Sequence, residues 1–256
     1  MYRIGNSVKK RMEKWGYFQR GLWKSIAEDV VKMKRLMCLL LCAVLLPLPV
    51  RGAPAEKLVA LTFDDGPSGR FTRRLLDGLE ETDTRATFLL CGYRMEDYPE
   101  LVERILKEGH EIGLHGYSHE PMEKMTPEEI GEELRRTWAL IPEGTPVRFL
   151  RPPGGALTDG IRETAKELDL AVLLWSVDPR DWATEDSRAI ETAVLDSVRD
   201  GDVILLHDMS DSSVDAALSL VKKLRGQGFR FVTVSELARS RGGKMDPGTV
   251  WFRFEG

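Results

Sequence analysis

Two adjacent carboxylates, Asp64-Asp65, and three histidines, His115, His119 and His207, have the types and spacing to do chemistry. Asp64-Asp65 closes the apolar run Leu58–Phe63 and precedes the turn pair Gly66-Pro67. Neighbours on an extended chain point to opposite sides, so the two carboxylates cannot chelate from one face. Either they have two separate roles or they form a solvated acidic turn. His115 and His119 are four residues apart, a spacing that separates side chains by about 13 Å in a strand but makes them neighbours on a helical turn. A shared divalent ion therefore requires the chain to coil straight after Leu114, which Gly116 and Ser118 permit. Two imidazoles and one carboxylate leave open positions for water and substrate, as catalytic zinc requires, and non-haem iron uses the same set. The fourth and last histidine, His110, lies in the turn Gly109-His110-Glu111 and reads as a hydrogen-bonded structural residue.

The elements that must position these groups alternate between short β-rich runs and longer stretches of helical period. Strands are expected at Leu58–Phe63, Ala86–Leu90, Glu111–Leu114, Arg148–Leu150, Ala171–Trp175, Val203–Leu206 and Phe229–Val234. Helices are expected near Arg70–Glu81, Tyr98–Glu108, Thr126–Leu140, Asp159–Leu168, Asp186–Arg199 and Val214–Arg225, with Thr126-Pro127-Glu128-Glu129 a strong helix start. Such alternation means parallel βαβ units in an α/β domain, in which functional groups gather at the carboxyl ends of the strands. Asp64 and Asp65, His115 and His119, Arg151, Asp178 and Asp181, and His207 each follow one of those expected strands.

Five segments then carry a family resemblance: Thr62-Phe63-Asp64-Asp65-Gly66-Pro67, His115-Gly116-Tyr117-Ser118-His119, Arg151-Pro152-Pro153-Gly154-Gly155, Asp178-Pro179-Arg180-Asp181-Trp182 and Leu205-Leu206-His207. In order and spacing they resemble the five motifs of the NodB-type polysaccharide deacetylases, carbohydrate esterase family 4, over about residues 57–237. The resemblance implies a distorted (β/α) barrel with about seven parallel strands and a metal-dependent hydrolysis of glycan N-acetyl groups. Carried over by position, Asp65, His115 and His119 bind a divalent metal, Zn2+ first, with Co2+ or another divalent ion as alternatives. Asp64 is the general base, His207 protonates the departing amine, and Asp181 orients His207. Arg151 pairs with an active-site carboxylate, either Asp64 or Asp181. A backbone N–H near Gly154 helps hold the oxyanion, and Leu205 and Trp182 shape a pocket for the acetyl methyl, Trp182 reading equally as core packing. The chain departs from the pattern at Leu114, at Gly116 where Ser or Thr is usual, and at Gly154 where an aromatic residue is usual; these bear on substrate range more than on the chemistry.

Charge divides the chain. Residues 1–55 hold 11 Lys or Arg against 3 Asp or Glu, a balance of +8, which leaves 26 against 38, or −12, for residues 56–256. A domain that acidic is a poor phosphate binder, so nucleic acid is excluded as a partner. Leu36 to Val50 is uncharged, with Lys34 and Arg35 before it and Arg51 after it. It is shorter than the about 20 apolar residues of a membrane span and carries Pro47 and Pro49. With Ala53-Pro54-Ala55 it reads as a secretory signal cleaved near Ala55, or else as an uncleaved anchor, and Met33 offers a second start. Cys38 and Cys42 leave with that signal, and Cys91 remains as a small buried hydrophobe with no partner for a disulfide.

The expected organisation is a leader over 1–55, a deacetylase domain over 56–240 and a tail over 241–256 that ends in Trp251, Phe252 and Phe254. The expected protein is a monomer, secreted or at the cell wall, with any membrane contact made only through an uncleaved N-terminal segment. Its expected substrate is an acetylated polysaccharide, N-acetylglucosamine of peptidoglycan first and a chitin-like glycan next. The alternatives are an O-acetyl esterase acting on a xylan-like polysaccharide and a non-catalytic glycan-binding barrel.

Overall fold

The computed structural model describes residues 32–34 and 56–255. Lys32–Lys34 are helical, and the rest of the expected leader and signal lies outside the described residues. From Glu56 onward the chain alternates strand and helix. The strands are β1 (Lys57–Asp64), β2 (Thr87–Leu90), β3 (Glu111–Leu114), β4 (Phe149–Leu150), β5 (Ala171–Leu173), β6 (Val203–His207), β7 (Phe229–Phe231) and β8 (Val250–Trp251). The helices are α1 (Gly69–Glu81), α2 (Gly92–Asp97), α3 (Pro99–Lys107), α4 (Pro127–Trp138), α5 (Asp159–Glu167), α6 (Ser187–Ser197), α7 (Asp211–Gly226) and α8 (Val234–Ser240). The sheet order is β6-β1-β2-β3-β4-β5-β8, with β7 also on β1, and every ladder is parallel. This is the distorted (β/α) barrel that the motifs implied.

Period-2 alternation divides each strand between two apolar regions. On β1, Val59, Leu61 and Phe63 pack with Leu75, Leu79 and Leu220 of the surrounding helices. Leu58 and Ala60 face the interior with Phe149, Leu173 and Val203. The next interior positions of β1 are Thr62 and Asp64, so the column turns polar towards the carboxyl end of the sheet. Register then aligns the functional groups: Asp64 lies opposite His207 across β1 and β6, and Leu114 lies opposite Leu150, which brings His115 beside Arg151.

Three stretches differ from the sequence reading, each for a local reason. The strand expected over Phe229–Val234 ends at Phe231, because Thr233 and Glu236 form a capping box that starts α8. β5 ends at Leu173 rather than Trp175, where Arg151 takes up the carbonyls of Leu173 and Leu174. Residues 241–256 supply β8, which pairs with β5, and Phe254 is buried with its N–H on the Gly201 carbonyl at 2.8 Å. Cys91 is fully buried, and burial pushes its thiol far up.

Candidate active site

The structure gathers Asp65, His115 and His119 at the carboxyl ends of β1 and β3, their nearest ligand atoms all within 4.8 Å of one another. Two departures from extended geometry bring this about. Asp65 has a φ of 69°, which turns its carboxylate away from that of Asp64. After Leu114 the chain coils through Gly116 (φ 82°) to His119 (φ 61°). Non-glycine residues in this left-handed region are strained and cluster at functional sites.

The donor set fits a cation. His115 Nδ1 lies 2.7 Å from the Arg151 carbonyl, which can only accept, so Nδ1 carries the proton and Nε2 of the neutral ring presents its lone pair. That lone pair faces Asp65 Oδ1 at 3.2 Å, and His119 Nε2 lies 2.9 Å from the same oxygen. Asp65 Oδ1 is buried and has no properly directed hydrogen bond, which leaves acceptor atoms converging on one point. Burial opposes the charge of Asp65, but the imidazoles of His115 and then His119 beside it outweigh that and hold the carboxyl well below its usual range. Reciprocally, Asp65 raises the pKa of His119.

Two paired carboxylates flank the triad. Asp64, 3% exposed, is bound through Oδ1 by Arg151 Nη1 at 2.6 Å, while its Oδ2 lies 3.8 Å from His115 Nε2. Arg151 is fully buried; it also donates to Thr62 Oγ1 at 2.9 Å and to the carbonyls of Leu173 and Leu174 at 3.2 and 2.9 Å. Of the two partners considered for Arg151, the one observed is therefore Asp64. Asp181 instead accepts from the His207 backbone N–H at 2.8 Å and holds His207 Nδ1 at 2.8 Å. Burial lowers the pKa of His207, but the Asp181 carboxylate more than offsets it, with a result of about 9. His207 Nε2 points to the triad, 4.0 Å from Asp65 Oδ2.

A cavity of about 520 Å3 opens beside these groups, lined by Asp65, Asp181, Trp182, Thr184, Glu185 and His207 among others. That volume is in the range of small-ligand sites. Trp182 is 62% exposed, so it is not core packing. Leu205 is buried in β6, and Gly154 is exposed with a φ of 67°; neither lines this cavity. Asp178 accepts from the Arg180 N–H at 2.8 Å within its own turn. His110 is buried at the other end of the strands, where its Nδ1 accepts from the Ala86 N–H at 3.1 Å. A larger cavity there, about 620 Å3, has no convergent ligand set.

Sequence reasoning missed three contributors. Thr62 was discoverable, because alternation along β1 puts it on the same side as Asp64. Asp208 is fully buried, accepts from Thr72 Oγ1, and packs so closely on Gly66 that a Cβ there would lie 2.6 Å from its Oδ1. Burial pushes its carboxyl up to about 6. Glu133 accepts from the Tyr117 and Ser118 N–H groups and from Ser118 Oγ, and nothing in its place on an amphipathic helix announces this.

Comparison with known proteins agrees with this geometry. Residues 51–173 match the family described as polysaccharide deacetylase. The chain is 39% identical over 186 residues to the peptidoglycan-N-acetylmuramic acid deacetylase PdaC of Bacillus subtilis, a match that covers 72% of this chain and 39% of PdaC. It is 39% identical over 195 residues to a peptidoglycan-N-acetylglucosamine deacetylase of Bacillus cereus, covering 72% of this chain and 89% of that protein. The solved structure of PdaC superposes with a TM-score of 0.70 at 38% identity, over 74% of this chain and 94% of that one. A family 4 acetyl xylan esterase from Clostridium thermocellum, solved with a cobalt ion, gives 0.72 at 33% identity, over 77% and 98%.

Proposed function

The chain belongs to the polysaccharide deacetylase family, and on that footing we propose that it is a metal-dependent hydrolase that removes N-acetyl groups from N-acetylglucosamine residues of peptidoglycan. The observation that carries the reading is the pair of dyads, Asp64–Arg151 and Asp181–His207, set on either side of Asp65, His115 and His119. An amide is slow to lose its nitrogen, so its hydrolysis needs one group to take a proton from the attacking water and another to protonate the leaving amine.

A divalent cation held by Asp65, His115 and His119, Zn2+ in our reading with Co2+ as the alternative, supplies Lewis acidity to that site when bound. Asp64 takes the proton of the attacking water on Oδ2, the oxygen that Arg151 leaves free. Arg151 fixes the other oxygen and so the direction of the free one. His207 gives the proton on Nε2 to the amine nitrogen as the carbon–nitrogen bond breaks, and Asp181 stabilises the imidazolium through Nδ1. Trp182 offers an exposed aromatic face beside the cavity for a sugar ring. Gly154 contributes a backbone N–H to the oxyanion, and Leu205 packs beneath the site from β6.

The leader of residues 1–55 directs export to the cell surface or cell wall, and the deacetylase domain, with the C-terminal segment that supplies β8, acts as a monomer. Among the described residues no helix is long and apolar enough to cross a membrane. A second reading, O-acetyl ester hydrolysis on a xylan-like polysaccharide, draws on the likeness to the acetyl xylan esterase. Acetate release separates the two. With Zn2+ present, the full chain is expected to release acetate from peptidoglycan and N-acetylglucosamine oligomers and to lose that activity with EDTA. Release from acetylated xylan alone overturns the first reading.

A further inference from the structure

We propose that Glu133 of α4 is the positioning residue that shapes the segment between His115 and His119 into a chelating loop. The inference rests on the reading of Asp65, His115 and His119 as metal ligands and adds a residue outside that set. Between the two histidines the backbone passes through left-handed geometry twice, at Gly116 (φ 82°) and at His119 (φ 61°). A histidine holds such a conformation only where its surroundings over-determine it.

Those surroundings are specific. One oxygen of Glu133, Oε2, accepts from the Tyr117 N–H at 2.8 Å, the Ser118 N–H at 2.7 Å and Ser118 Oγ at 2.9 Å. The carbonyls of the same stretch are satisfied elsewhere: Gly116 accepts from the Gly92 N–H at 3.0 Å and Tyr117 from the Tyr93 N–H at 3.1 Å, both at the start of α2. Every one of these loop groups is thus paired, amides to one carboxylate and carbonyls to one helix. Side-chain packing adds to the clamp. The Tyr117 hydroxyl donates to Glu96 at 2.8 Å, the Arg136 guanidinium lies 3.6 Å from its ring centroid, and a Cβ on Gly92 would stand 2.3 Å from its ring.

Glu133 is itself well supported. A capping box of Thr126 and Glu129 starts α4, which buries Ile130, Leu134 and Thr137 against the barrel. At Gly116 there is no side chain to anchor the loop, and a Cβ there would sit 3.5 Å from the same Glu133 oxygen. Control of the loop therefore falls to a charged acceptor on a neighbouring helix. Hydrogen bonds to a carboxylate are shorter and stronger than neutral ones, so a single residue can hold three donors. Glu133 touches no reacting atom; it acts by lowering what the loop must lose in freedom when the imidazoles ligate.

The test uses the full chain as Glu133→Ala, Glu133→Gln, Glu132→Ala and His119→Ala. Zn2+ affinity is read by competition with a chelator, kcat at saturating metal, and thermal unfolding without metal. Glu133→Ala is expected to weaken affinity about 10–100-fold, the usual effect of removing a residue that orients metal ligands, with kcat at saturating metal within a few-fold of the parent. Glu133→Gln keeps one acceptor and the side-chain shape, so it should retain the fold and lose several-fold in affinity. The exposed Glu132→Ala should lose none. Unchanged affinity in both Glu133 variants beside a loss in His119→Ala overturns the role of Glu133. Unchanged affinity in all of them overturns the ligand reading and the inference with it.

Discussion

A fully buried guanidinium is the most demanding feature at the residue scale, because a buried ion costs several kcal/mol unless it is completely partnered. Arg151 meets that condition through Asp64, Thr62 and the carbonyls of Leu173 and Leu174. Arg151→Met should therefore destabilise the protein by about 3–5 kcal/mol, measured by urea unfolding, by stranding the Asp64 charge and three acceptors. A loss below about 1 kcal/mol would mean that the pair is replaceable. His207 gives a prediction with a sign. Its pKa is raised from 6.5 to about 9, so the protonated imidazolium, the proposed acid, is present at neutral pH and is lost as pH rises through about 9. Since kcat/KM follows the protonated form, it should fall on that alkaline limb. In Asp181→Asn burial remains while the carboxylate is gone, so the limb should move to lower pH; an unmoved limb assigns it to another group. His207→Ala should cost amide hydrolysis about 10²–10⁴-fold and acetyl-ester hydrolysis much less, because without a proton an alkoxide can still leave whereas an amide anion cannot. Equal losses would show that His207 does more than protonate the leaving group. The residues of both dyads were legible in the sequence because chemistry restricts their types. Glu133 was not, since its role depends on which loop the helix lies beside.

Among the elements, β3 carries a tight constraint that passes directly to the proposed metal ligand His115. A Cβ on Gly113 would lie 2.5 Å from Phe149 and 2.6 Å from Leu89, both fully buried interior residues. Gly113→Ala should therefore overpack the barrel, cost about 1–3 kcal/mol in thermal or urea unfolding, and displace His115 two residues on. Metal affinity should fall in parallel, whereas a stability loss with unchanged affinity would show that the strand end is insulated from its middle. The same scale shows what sequence pattern can and cannot reveal. All seven expected strands exist within a few residues, because each is a buried β-branched or aromatic run between turn signals. α2 escaped notice because Cys91-Gly92-Tyr93 continues straight from β2 with no polar N-cap, and its six residues are too few to show a period. The expected strand runs on to Val234, the first residue of α8, because Phe231-Val232-Thr233-Val234 has β-forming composition. The Thr233–Glu236 capping box, present in the sequence, outweighs that composition.

At the scale of the whole molecule, the barrel has a weak seam that the end of the chain fills. β5 and β6 share no ladder; the chain that follows β5 meets the start of β6 through the bridge between Val177 and Ile204 and through Ser176, which bonds the Val203 backbone. Towards the opposite end β8 pairs with β5, Arg253 bridges Asp202 and reaches its carboxylate at 3.1 Å, and Phe254 enters the interior cluster with Leu58, Phe149 and Val203. Gly201 is obligatory at this junction, since a Cβ there would stand 2.0 Å from the Phe254 carbonyl oxygen. The aromatic segment Trp251-Phe252-Arg253-Phe254 thus closes the interior beneath the site, while the charged groups of the candidate site lie above it. Phe254 is 1% exposed and Phe252 is 49% exposed, so the two phenylalanines form an internal control. Phe254→Ala should cost about 3–5 kcal/mol, the usual price of emptying a buried aromatic site. At about 2–4 °C per kcal/mol for a domain of this size, its melting temperature should fall by roughly 10 °C. Phe252→Ala should shift it by no more than a degree or two. Because the seam lies between β5 and β6, the strands that lead to Asp181 and His207, Phe254→Ala should also lower kcat before it measurably weakens metal binding at β1 and β3. Equal melting shifts for the two variants would mean that the C-terminal segment lies on the barrel without closing it.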